Sequence, residues 1–159
     1  IFYSFMAVGI AGSRVFSGKL VDRGYLVQVI QVGSVIATLA FITLGLMPLL
    51  DVAMGFKEGI FLLSALTIGI GYGIIFPAYN TLFVALGTNS QRGSATSTYL
   101  TSWEIGVGIG IFSAGAITKQ FLLSEIYIFG SIINVMAIVM FSMYTAAHFM
   151  KNKIGYMTE

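Results

Sequence analysis

Charged residues divide the chain into long apolar stretches. Residues 24–50, 59–91 and 126–147 carry no charge, and residues 93–118 carry only Glu104. A helix needs about 20 apolar residues to cross about 30 Å of hydrocarbon. The pattern therefore predicts four complete membrane-spanning helices.

The two ends of the sequence differ in character. The first thirteen residues carry no charge and begin with Ile rather than Met, so we expect them to be the truncated end of a fifth helix. The last residues form a short polar tail typical of a natural C-terminus. We predict one all-α transmembrane domain over residues 1–159, a polytopic bundle of about five helices. These helices are predicted over residues 1–13, 25–47, 59–84, 93–118 and 125–148.

The composition of the chain excludes several other classes of protein. The chain is 57% hydrophobic and only 9% charged, whereas a soluble domain carries roughly 25% charged residues. A soluble enzyme is therefore not expected. With no cysteine and a net charge of +2, the sequence predicts no disulfide, no metal site, no cofactor and no nucleic-acid partner.

The basic residues predict an orientation. Short connections should make sequential helices antiparallel neighbours on alternating sides of the membrane. On one side lie six of the eight basic residues, namely Arg14, Lys19, Arg23, Arg92, Lys151 and Lys153. Lys57 and Lys119 lie on the other. Because cytoplasmic loops carry the excess of Lys and Arg, the C-terminus is predicted to be cytoplasmic.

Small residues recur at four-residue steps inside the predicted helices. The candidates for close helix packing are Gly69 with Gly73, Gly106 with Gly110, and Gly9 with Ser13 and Ser17. Such pairs let two backbones approach in lipid. Mobility at a gate is the alternative role. Pro77 is predicted to bend the third helix.

Glu104 is the strongest candidate for chemistry, since it is the single acidic residue within a predicted span. A charge at that depth costs roughly 2.5 to 3.5 kcal/mol. Ser94, Ser97, Thr101 and Gly108 recur with it at three- and four-residue steps, which predicts a small, polar helix face. Glu104 is then either a proton-binding carboxylate coupled to transport or a structural carboxylate bonded to a neighbouring helix.

An aromatic face on the third helix is the candidate substrate wall. Helical spacing groups Tyr72, Phe76, Tyr79 and Asn80, which would suit an amphiphilic substrate or simply pack against a neighbouring helix. Tyr99 and Trp103 on the fourth helix are candidates for anchors at the membrane interface.

The segment from Arg14 to Arg23 is the most specific local motif. It reads R-V-F-S-G-K-L-V-D-R, and we expect a tight charged turn in which Gly18 permits close approach. Asp22 can cap a helix and pair with Arg14 or Arg23. The alternative is a plain solvated loop.

This motif resembles the loop signature G-x-L-x-D-R of the major facilitator superfamily, in the copy between helices eight and nine. Three further stretches, over residues 69–80, 91–99 and 102–110, resemble helix ten, its following loop and helix eleven of the drug-exporter-like branch.

The resemblance implies the C-terminal half of a twelve-helix carrier, from a partial helix eight to helix twelve, in the bacterial inner (plasma) membrane. It implies proton-coupled efflux of a small amphiphilic molecule, an antiport, by alternating access. Glu104 would be the coupling residue, and Arg14, Gly18, Asp22 and Arg23 the gating loop. The partners implied are lipid, protons, a small-molecule substrate and a missing N-terminal half. The alternatives are proton-coupled uptake and a non-transporting scaffold subunit.

Overall fold

The computed structural model describes residues 1–152, which contain helices and no strand. The helices are α1 (Phe2–Asp22), α2 (Leu26–Leu46), α3 (Met54–Ala85), α4 (Arg92–Ile117), α5 (Leu123–Met140) and α6 (Ala146–Asn152). A five-residue π-helical turn joins α5 to α6, so the two form one continuous helical stretch. Lys153 and the remaining polar tail lie outside the described residues.

Four helical stretches are long and apolar enough to cross a membrane. They cover Leu26–Leu49, Met54–Ala85, Asn89–Ile117 and Leu123–Asn152. Each corresponds to one of the four complete helices that the charge pattern predicts. The described chain is therefore an all-helical protein with the composition of an integral membrane protein.

The predicted end of the first helix is wrong. The helix continues nine residues past Ser13, to Asp22, so the Arg14 motif is helical rather than a tight turn. The helix stops at Gly24, whose φ of +87° suits glycine because it has no Cβ. The Gly24 N–H donates to the Val21 carbonyl at 2.9 Å and the Tyr25 N–H to the Leu20 carbonyl at 3.1 Å. This pair of hydrogen bonds is the Schellman motif, which commonly ends helices.

Two local roles assigned to the motif change as a result. A Cβ atom at Gly18 would meet nothing within 4 Å, so Gly18 permits no close helix approach in the described chain. Asp22 ends α1 rather than capping α2, whose N-cap is Tyr25 without a side-chain bond.

The centre of the fold is α3, which carries α1 on one side and α2 on another. Where α1 crosses α3, a Cβ atom at Gly9 would lie 2.9 Å from the Ile70 nitrogen, and one at Gly73 would lie 2.8 Å from the Ile10 Cα. Residue numbers in the two helices rise together along this contact, from Gly9 beside Ile70 to Ile10 beside Gly73. The helices α1 and α3 are therefore parallel. The small residues at these positions allow backbone contact that larger side chains would prevent.

Sequential helices pack together only in part. As expected, α2 packs on α3 and α3 packs on α4, whereas α1 packs chiefly on α3 and α5 packs chiefly on α2. Polar groups join α2 to α5 and to the π-helical turn that follows it. The Asn134 amide of α5 donates to Thr38 Oγ1 at 2.9 Å, and the Gln31 amide donates to Ser142 Oγ of the turn at 2.9 Å. Short connections determine that sequential helices run in opposite directions, but the small and polar residues determine which helices contact each other.

One end of the bundle gathers helix ends from α1, α2, α3 and α6. Val21, Leu26, Leu82, Ala85 and Phe149 form one buried cluster there. Because α1 and α3 end here and α2 begins here, the first three helices alternate in direction, and the α5–α6 stretch also ends at this side.

Candidate functional site

Helix α4 contacts the bundle through one aromatic face. Tyr99 is only 5% exposed, and its hydroxyl donates to the Phe76 carbonyl at 2.9 Å. The Trp103 ring lies 5.2 Å from the Phe76 ring and 6.0 Å from the Tyr72 ring, edge-on to both. Tyr99 and Trp103 thus pack against α3 within the bundle.

Helix α3 continues through Pro77 without interruption. Because proline has no N–H, the Gly73 carbonyl loses its helical donor. Two side-chain hydroxyls donate hydrogen bonds to backbone carbonyls at this point of α3. Tyr99 donates to the Phe76 carbonyl, and Thr81 Oγ1 donates to the Pro77 carbonyl at 3.0 Å.

Glu104 lies away from this aromatic face. Its side chain is exposed, as are the other members of the small, polar face, Ser94, Ser97, Thr101 and Gly108. Successive members are three or four residues apart and so share one side of α4. No part of the described chain covers this side.

The two predicted glycine pairs differ in their surroundings. A Cβ atom at Gly69 would lie 3.0 Å from the Met6 Cα of α1. At Gly106 and Gly110 it would meet nothing within 4 Å in the described chain. Gly69 and Gly73 therefore lie in a helix contact, whereas Gly106 and Gly110 lie on the open side of α4.

The four residues of the predicted substrate wall line two cavities rather than one. Tyr72 and Tyr79 line a cavity of about 330 Å³ between α2, α3 and α5, next to Asn134. Phe76 and Asn80 line a second cavity, of about 500 Å³, between α1, α3 and α4.

The larger of these two cavities unites two groups that the sequence treats separately. Arg14, Gly18 and Asp22 of α1 line it together with Phe76 and Asn80 of α3. Arg23, the last residue of the motif, is not among its lining residues. The cavity can present a guanidinium, a carboxylate, an amide and an aromatic ring to one molecule.

Asn80 holds an unused acceptor at this cavity. Its Oδ1 atom is buried and has no hydrogen-bond partner within residues 1–152. A buried acceptor without a partner costs about 1 to 3 kcal/mol. Because the atom itself is buried, a ligand or a water molecule would reach it only when the surrounding side chains move apart.

Sequence reasoning overlooked the polar contact between α2 and α5. Asn134 donates to Thr38 Oγ1 and, at 3.3 Å, to the Ser34 carbonyl. The available signal was an amide within an otherwise apolar span, because such residues commonly bond across helices in lipid.

No protein-family model, curated protein or solved structure matches the chain. The resemblance to a transporter superfamily accordingly depends on the short motifs alone.

Proposed function

We propose that this chain is part of a secondary active transporter that couples proton movement to efflux of a small amphiphilic molecule. The observation that carries the proposal is the exposed, small and polar face of α4 with Glu104 on it. This face belongs to a helix that is otherwise suited to cross a membrane.

A carboxylate facing hydrocarbon is costly, whereas one facing a water-filled path between helix bundles is not. The open side of α4 fits such a path. In this proposal the second wall is an N-terminal half of the same twelve-helix carrier, which rocks against the present helices. Glu104 exchanges its proton between the two membrane sides during that motion.

The substrate class follows from the cavity between α1, α3 and α4. Phe76 offers an aromatic edge and Asn80 an acceptor without a partner. Arg14 and Asp22 add opposite charges at the same cavity. A molecule with an apolar ring and a polar or charged group would use all of these contacts.

The motif residues would have a second role in transport. Asp22 is the last residue of α1 and Arg14 lies about two turns before it; the basic residues predict that this end of the bundle is cytoplasmic. Movement of α4 relative to α1 would open or close their cavity, which is how we interpret the gating-loop resemblance. The protein is expected in a bacterial inner membrane.

The test is transport by the full-length protein in proteoliposomes with an imposed pH gradient. We expect Glu104→Gln to abolish gradient-driven movement of amphiphilic dyes while it retains exchange of dye across the membrane without a gradient. Glu58→Gln is the matched control, because Glu58 is also exposed but lies in the first turns of α3.

Three other outcomes would change the proposal. Gradient-driven transport by Glu104→Gln equal to that of the parent protein would remove the coupling role. Movement of dye in the same direction as protons would replace efflux by uptake. Absence of transport and exchange by the folded parent protein for every compound would favour the scaffold alternative.

A further inference from the structure

A third cavity lies on the opposite side of α1 from the candidate transport site. It is a groove of about 660 Å³ between α1 and α2, with α3 as its floor. Both α1 and α2 pack on α3 while touching each other little, so the groove is open along its side. We name it the α1–α2 groove.

The walls of the α1–α2 groove are apolar along most of its length. Val8 and Phe16 of α1, Val32 of α2, and Leu66 and Ile70 of α3 contribute to them. Gly12 widens the groove, since a Cβ atom there would meet nothing within 4 Å. An apolar groove open to the side of a membrane helix suits a flexible hydrocarbon chain.

One end of the groove is polar. Tyr25, just before α2, and Gln28, in its first turn, line that end. Lys19 and Arg23 are not lining residues of the groove but lie next to its polar end. Lys19 follows the groove residue Phe16 by three positions within α1, and Arg23 is the C-cap of that helix, three positions after the groove residue Leu20. They are exposed.

One acidic residue offsets part of this charge. Asp22 follows Lys19 by three positions and directly precedes Arg23, and it also lines the cavity on the other side of α1 with Arg14. Lys19, Asp22 and Arg23 together leave a net charge of +1 near this end of the groove. The groove therefore combines an apolar length with two neutral polar side chains at one end, and a net positive charge lies next to that end. Basic residues at the cytoplasmic end of membrane helices attract anionic lipid headgroups.

We infer that the α1–α2 groove binds one anionic phospholipid, with an acyl chain between the helices and the headgroup at Lys19 and Arg23. Charge complementarity at the mouth favours a lipid of this class over a neutral lipid. Tyr25 and Gln28 would donate hydrogen bonds to phosphate or ester oxygens of the same molecule. This inference does not depend on the proposed transport activity.

The test is native mass spectrometry of the full-length protein, stripped of lipid and then mixed with phosphatidylglycerol or phosphatidylcholine. We expect one tightly held phosphatidylglycerol. Gly12→Phe should remove it, because the new ring would occupy the groove. Gly115→Phe is the matched control, since Gly115 is equally open but lies on α4.

The headgroup is tested separately with Lys19→Ala combined with Arg23→Ala. Loss of two basic contacts should weaken phosphatidylglycerol binding roughly 30-fold and leave phosphatidylcholine binding unchanged. Lys119→Ala, at the other end of the bundle, should change neither.

Two results would overturn the inference. Equal lipid retention by Gly12→Phe and Gly115→Phe would show that lipid binds elsewhere. A cross-link from a photoreactive group at Gly12 to another segment of the protein, in place of lipid, would assign the groove to a helix.

Discussion

Replacement of Gly9 by alanine tests the contact on which the position of α1 depends. The added Cβ would lie 2.9 Å from the Ile70 nitrogen and 3.1 Å from the Gly69 carbonyl carbon. These are backbone atoms of α3, which cannot rotate away as a side chain can. Overpacking of this kind costs about 1 to 3 kcal/mol.

Gly12→Ala is the matched control for this change, because it makes the same substitution one turn later in α1. Its Cβ would meet nothing within 4 Å. Any gain in helix propensity, about 0.5 to 1 kcal/mol, applies to both variants and cancels in the comparison. We therefore expect Gly9→Ala to be less stable than Gly12→Ala by about 1 to 3 kcal/mol.

The assay is the free energy of unfolding in mixed micelles of mild detergent and sodium dodecyl sulfate, followed by circular dichroism. Equal stability of the two variants would refute the close crossing of α1 and α3. It would also remove the basis for the groove and the cavity on either side of α1.

Two further predictions concern polar side chains within the spans. Asn134→Leu should lower the free energy of unfolding by about 0.6 kcal/mol, up to about 1.7 kcal/mol, because the bond to Thr38 is lost. In the same micelle assay Thr38→Val should give a non-additive effect with it, and full additivity would contradict the bond. Asn80→Leu should leave stability unchanged or raise it, since the unpaired Oδ1 is removed, while transport of amphiphilic dyes falls. A clear loss of stability would show that Asn80 has a structural partner.

The number and order of the spanning helices could be predicted because charge is excluded from hydrocarbon, and the gaps between charges record that exclusion. The end of α1 could not be found from charge alone. Arg14 and Lys19 remain helical because long basic side chains extend toward the interface while the backbone continues. Gly24 was the correct signal, since a glycine after a helical segment commonly closes it.

The candidate site was predicted only in part, for a similar reason. Helical spacing predicts that Glu104 shares the small, polar face of α4, whose members are all exposed in the described chain, and it groups the aromatic residues of α3. It could not show that Tyr72 and Phe76 line different cavities, or that Asn80 shares one with Arg14. Those relations depend on which helices are neighbours, and α1 reaches α3 across a sequence separation of about sixty residues.

The central claim is that the Glu104 face of α4 borders a water-filled path, and cysteine accessibility tests it most directly. Because these 159 residues contain no cysteine, Thr101→Cys and Gly108→Cys each introduce a single thiol into them. In proteoliposomes of the full-length protein, a water-soluble maleimide should label both, and substrate should slow the reaction. Ile132→Cys on α5, which is also exposed in the described chain and lines none of the three cavities described above, should remain unlabelled in lipid. Failure to label Thr101→Cys and Gly108→Cys in protein that is labelled after unfolding would contradict the claim.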